Sequence, residues 1–247
     1  MSVLKNLQIR YQTALITPAP FAHFYTLSAR PAFKKFLHTD FSITYPDRED
    51  LDEEDITGEG FTLNDDFSWS GRLSKEWLKT IEDLIGPTML NAFDEDTLPD
   101  NEDFFEVSIE TADGQTRKGT PTDRDTWTYL IQELIQAIYE AGGKERAFEL
   151  TYLNRHKNEE TELRLTASFA ERTIKAESSQ NRRTRSRSIP WSELPSLMET
   201  IYEVEYEPEE ALYERPDSNG QFLNLGGDEW YDISNQPALH QLFSRLV

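Results

Sequence analysis

Arg183, Arg185 and Arg187, with Arg182 beside them, are the densest cluster of positive charge in the chain. A strand places residues i and i+2 on one face. This spacing would align three guanidinium groups and leave Thr184, Ser186 and Ser188 on the other side. Guanidinium forks bind phosphate and carboxylate groups through paired hydrogen bonds. The four arginines are therefore candidate binding residues. Their targets could be the chain's own acidic loops, an acidic protein face, a phosphorylated ligand or a nucleic acid.

The second chemically capable population is carboxylate. The 247 residues hold 46 Asp plus Glu against 25 Lys plus Arg, a formal charge of −21. Residues 40–66 carry 11 acids and one base, residues 94–113 nine acids and no base, and residues 203–217 seven acids and one base. Residues 144–187 reverse the sign, with 11 bases and seven acids. These four segments account for the whole net charge. So strong an imbalance disfavours non-specific binding to nucleic acid or anionic lipid by the protein as a whole. The acidic runs suit solubilising loops, docking on a basic partner, mimicry of a phosphate backbone or calcium binding. The opposite poles also suit self-association.

Motifs for metal and phosphate chemistry are absent. An EF-hand loop begun at Asp50 has Asp55 where Gly is required, and one begun at Asp94 has Leu98 and Pro99 at its fifth and sixth positions. There is no HExxH, GxGxxG or GxSxG, and Gly143-Lys144 lacks the rest of a P-loop. With no cysteine, thiolate metal sites and cysteine nucleophiles are excluded. His23, His38, His156 and His240 are far apart in sequence. No cofactor or metal is expected. Glycoside hydrolysis needs only two facing carboxylates and aromatic platforms. With five Trp and 46 acids, a carboxylate-pair hydrolase stays open as the enzymatic alternative.

Something must position these groups. Aromatic content of 12% argues for a packed core, because each ring can bury roughly 150–250 Å². Disorder is expected only locally, in Asp47–Glu59 and Asp94–Asp103. Alternation predicts strands at Leu7–Tyr11, Phe21–Leu27, Phe41–Tyr45 and Phe67–Leu73. Ser74 then caps a helix with Trp77, Ile81 and Ile85 on one face, stopped by Gly86-Pro87. Phe105–Ile109 and Gln115–Thr120 flank an Asp113-Gly114 turn. A second helix follows, capped by Thr122, with a stripe from Trp127 to Tyr139 and a stop at Gly142-Gly143.

Further strands are expected at Phe148–Tyr152, Leu163–Phe169, Thr173–Glu177 and Arg183–Ile189, then a helix from Ser192. Asn219-Gly220 suggests a hairpin between Leu212-Tyr213 and Phe222–Leu225, Trp230–Ile233 a short strand, and Ala238–Leu246 a closing helix. The fold class is α+β: antiparallel meanders, each followed by a Trp-led amphipathic helix on one sheet face. Units of 1–142 and 143–247 are expected. No apolar run nears the roughly 18 residues of a membrane span, and Ala14-Leu15-Ile16 is too short for a signal-peptide core. A cytoplasmic location is expected. The reading that follows is a non-enzymatic acidic binding protein of the immunity, antitoxin, inhibitor or adaptor kind, acting on a partner with a basic surface.

Overall fold

The computed structural model describes residues 3–92, 95–157, 159–180 and 183–247. The fold is α+β, with two antiparallel sheets and packed helices. The chain divides into two compact units, Met1–Lys144 and Glu145–Val247.

The first unit runs β1 (Leu4–Gln12), β2 (Phe24–Pro31), β3 (Leu37–Thr44), α1 (Glu53–Gly58), β4 (Phe67–Leu73), α2 (Lys75–Ile85), β5 (Leu90–Asn91), β6 (Phe104–Thr111), β7 (Thr116–Pro121) and α3 (Arg124–Ala141). Its sheet has the order β4-β3-β2-β1-β6-β7-β5. Register converts the sequence alternation into two unlike faces. One row across it is Trp69, Phe41, Leu27, Ile9 and Val107. One residue along each strand, the row becomes Ser70, Asp40, Ser28, Gln8 and Ser108. The apolar rows meet α2 and α3, where Trp77, Ile81, Trp127, Leu134 and Ile138 are buried. Arg117 donates to the carbonyls of Ile85 and Thr88, satisfying acceptors left open where α2 ends.

Several local expectations shift. The second strand starts at Phe24 because Thr13 and His23 close a loop: Thr13 N–H donates to the His23 carbonyl at 3.0 Å. Helix α3 is capped by Asp123, not Thr122. The Asp123 carboxylate accepts from the Thr126 amide at 3.2 Å, while the Thr122 hydroxyl and amide are both turned to the Met89 carbonyl. At its other end Lys144 N–H reaches the Tyr139 carbonyl and Gly143 N–H that of Glu140, with Gly143 at φ 72°, a Schellman ending.

The second unit runs β8 (Phe148–His156), β9 (Glu159–Ser168), β10 (Thr173–Gln180), β11 (Arg183–Ile189), α4 (Leu194–Tyr202), β12 (Gly220–Asn224), β13 (Trp230–Asp232) and α5 (Pro237–Leu246). The sheet order is β11-β10-β9-β8-β12-β13. α4 and α5 share one core with Leu150, Tyr152, Leu163, Leu165, Ile174 and Leu223. Tyr152 stacks on Phe243 at 4.8 Å, and burial pushes its phenol up to about 12. Trp191 lies in a short 3₁₀ turn before α4, half-buried against Phe169, rather than within the helix. Asn219-Gly220 is not a hairpin turn. Gly220 begins β12, which pairs with β8 and β13, and Leu212 meets Trp230 in an isolated bridge. The Asn219 side chain instead accepts from the Lys157 amide at 2.8 Å.

No helix among the described residues is long and apolar enough to cross a membrane.

Candidate functional site

The antiparallel order of β3, β2, β1 and β6 puts the C-terminal end of β3 and the N-terminal end of β6 at the same end of the first sheet. The loop leaving β3 carries the first acidic run, and the loop entering β6 carries much of the second. Two runs far apart in sequence are thereby gathered. Between them lies the loop of residues 13–22, tied to both. The Ile16 amide donates to the Asp100 carbonyl at 3.2 Å and the Ala14 amide to the Asp103 carboxylate at 2.9 Å. On the other side the Arg48 guanidinium donates to the Pro20 carbonyl at 3.1 Å, and Phe21 packs edge-on against Phe61 at 5.5 Å.

Arg48 organises the first acidic loop. It is the only base in residues 40–66, and it is buried. It pairs with Asp65 at 2.6 Å, donates to the Thr62 carbonyl and lies over the rings of Tyr45 and Phe61. Burial pushes the Asp65 carboxyl up, but the Thr62 amide, Arg48 and the Thr62 hydroxyl outweigh it and hold the group below its ordinary value. Ile56 in α1 is also fully buried. The segment expected to be locally disordered is thus fastened to the unit by one cation and one apolar side chain. Glu53, Glu54 and Asp55 occupy the first turn of α1, where its partial positive charge favours them.

The remaining acids face water. Asp47, Glu49, Asp50, Asp52, Glu53, Glu54, Asp55 and Glu59 are all exposed, as are Glu95, Asp96, Asp100 and Glu102 across the end. The cations nearby are engaged. Arg124 donates to the Asp103 carbonyl, and Lys144 donates to the Asp65 carbonyl and lies over Tyr139. The loop of residues 13–22 presents apolar groups: Leu15 is 72% exposed, Ile16 68% and Phe21 44%, with Leu63 of the acidic loop at 57%. Beneath them Tyr11 stacks on Tyr25 at 5.0 Å and donates to Asp103 at 2.8 Å; burial first, then Asp103, raises its phenol above the ordinary range. This end presents exposed apolar side chains and exposed carboxylates beside a set of stacked aromatic rings.

Acids carried by strands behave differently. Glu106 accepts from Arg10 and Lys118, Glu110 from Lys5, and Asp40 from Ser70 and Arg30. In the second unit Arg215 bridges Glu160 and Glu162, and Arg155 and Arg164 each hold one of the same two glutamates. Sheet faces pair their charges closely; at the first unit's end the loop acids are exposed, with Glu95 3.8 Å from Arg10. Among the described residues no three His, Asp or Glu side chains gather as a metal site would require.

The arginines come together as the spacing implies, on a strand whose side is set by register. Arg185 stands opposite Ser178, in a row continued by Leu163, Tyr152 and Leu223. Arg187 stands opposite Ala176, and Ile189 opposite Ile174. The row therefore lies on the helix-covered face of the sheet, at an exposed edge strand that meets the C-terminal end of α5. Arg187 donates to the Arg245 carbonyl at 2.8 Å, at the partial negative end of α5. Arg183 and Arg185 have no carboxylate within ion-pair distance among the described residues. Arg182, and Asp94 in the second acidic run, lie outside the described residues.

The chain was compared with family models, curated proteins and solved structures. None of the three comparisons finds a match.

The gathering of the two acidic loops and the exposure of Leu15, Ile16 and Leu63 between them carry no local sequence signal. Ala14-Leu15-Ile16 is apolar in a way that suits a core. Only the closure of residues 13–22 between Thr13 and His23 turns it outward.

Proposed function

We propose that the protein is a binding protein whose acidic end on the first unit receives a basic, amphipathic segment of a partner protein. The observation that carries this reading is the exposure of Leu15, Ile16, Phe21 and Leu63 at the end of the sheet where the two acidic loops gather, with exposed carboxylates of both loops at the same end. Interfaces place apolar anchors at the centre and polar groups at the rim, and the centre supplies most of the affinity. Exposed carboxylates at the rim attract a basic partner from solution and accelerate encounter, with less effect on how long the complex lasts. An inhibitor, immunity or adaptor role matches this division of labour.

The test uses a synthetic amphipathic helix with leucine on one face and lysine on the other. Binding should be saturable and weaken steeply with salt. Leu15→Asp with Ile16→Asp should abolish it, while Glu53→Lys with Glu54→Lys should mainly slow association. Equal binding by the Leu15/Ile16 double variant would sink the proposal.

A further inference from the structure

We propose that the recess on the inner side of the β10–β11 edge binds a small phosphate-bearing anion between Arg183 and Arg185. Four observations lead there. First, register puts both arginines on the same side as buried Ser178 and Ala176, so their side chains border a concavity. That recess measures about 370 Å³ and is lined by Ser178, Gln180, Arg183, Arg185 and Val247.

Second, both guanidinium groups lack a carboxylate partner among the described residues, in a chain with 46 acids. On neighbouring strands of the same sheet, Arg155 and Arg164 each hold a glutamate at 2.9 and 2.7 Å. Two like charges two residues apart on one strand face repel each other. An anion between them removes that repulsion and satisfies both forks at once.

Third, residues i and i+2 of a strand stand roughly 6.6 Å apart, a spacing that lets two guanidinium groups approach one phosphate from either side. Guanidinium forks favour this geometry over a lysine's point charge. The Gln180 amide adds a neutral donor. Fourth, the neighbouring cations are already engaged: Arg187 holds the Arg245 carbonyl, and the Arg245 side chain lies 4.0 Å from Glu193. Among the described arginines of β11, Arg183 and Arg185 are thus the two with neither an ion pair nor a hydrogen-bonded carbonyl. This suits a compact anion better than a nucleic-acid strand, whose affinity comes from neutralising many phosphates in succession.

The experiment is calorimetric titration with inorganic pyrophosphate, at ionic strength held constant with sodium chloride, alongside thermal melting. Saturable binding of one pyrophosphate and a raised melting midpoint of the second unit are expected. Arg183→Ala with Arg185→Ala should weaken binding at least tenfold. Arg183→Lys with Arg185→Lys should fall between, because it keeps the charge but loses the forks. Arg164→Ala, on the opposite face, should leave binding unchanged. The site is refuted by pyrophosphate binding no more tightly than chloride, or by equal affinity in the Ala and wild-type proteins. A single-stranded oligonucleotide that outcompetes pyrophosphate and depends equally on Arg187 would assign the strand to nucleic acid and overturn the small-anion site.

Discussion

The acidic end of the first unit and the arginine edge of the second treat charge in opposite ways. At the acidic end the cation is buried and the acids face water: Arg48 lies under its loop while eight acids between Asp47 and Glu59 are exposed. At the edge Arg183 and Arg185 are exposed and have no carboxylate within ion-pair distance among the described residues. A buried guanidinium must be fully satisfied, because uncompensated burial costs several kcal/mol. Arg48 finds Asp65, two carbonyls and two aromatic rings through its terminal nitrogens and its face, and only its buried Nε goes without a hydrogen-bond partner among the described residues. An exposed guanidinium carries no such requirement, so Arg183 and Arg185 can stay open toward a ligand. The same residue type is a structural fastener in one place and a candidate binding group in the other.

The largest expected effect tests the fastener. Arg48→Met should destabilise the first unit by about 3 kcal/mol, the low end for breaking a buried ion pair, because the half-buried Asp65 loses its cation but keeps the Thr62 donors. Urea denaturation followed by tryptophan fluorescence measures this, and a loss below about 1 kcal/mol would break the contrast with the edge. Ile56→Ala should cost about 2 kcal/mol, the low end for an aliphatic truncation, since a short loop helix can settle over the space. Cleavage after Glu49, Glu53, Glu54 and Glu59 by a glutamate-specific protease should accelerate in both variants.

Acid should expose the same fastener. The Asp65 carboxyl is held below its ordinary value when folded. Its contribution is therefore present above the unfolded value of about 3.9 and is lost as pH falls through the folded value. Asp65→Asn should lower stability at neutral pH and flatten its decline below about pH 4, read from denaturant midpoints across that range. The smallest effect belongs to the edge. Arg183→Ala with Arg185→Ala should change stability by less than about 0.5 kcal/mol without ligand, and low salt should favour the variant as repulsion is removed. A loss above about 1 kcal/mol would make these arginines structural.

Legibility follows the range of the interaction. The strands at Leu7–Tyr11, Phe67–Leu73 and Arg183–Ile189 and the helices led by Trp77 and Trp127 are legible because period-2 and period-3.6 patterns are local. Boundaries set by remote partners are not. Thr122 looks like a cap until Met89 claims its hydroxyl, and Asn219-Gly220 looks like a hairpin until β8 takes Gly220 into its ladder. The candidate site divides the same way. The arginine row is visible in the sequence, while the side it faces depends on pairing with β10. The acidic runs are visible, while the apolar patch between them is not.

By itself the sequence determined the α+β class, the main helices, the alternation on each strand and the location of charge, because each depends on neighbours within a few residues. Tertiary structure alone decided which charges are unspent. Pairing across β3, β2, β1 and β6 brought two acidic loops to one end. Burial turned the sole cation of the first loop inward, and the register of β11 set its arginines on the inner side of an edge. Whether a charge is paired depends on residues distant in the chain, and only the folded backbone brings those together.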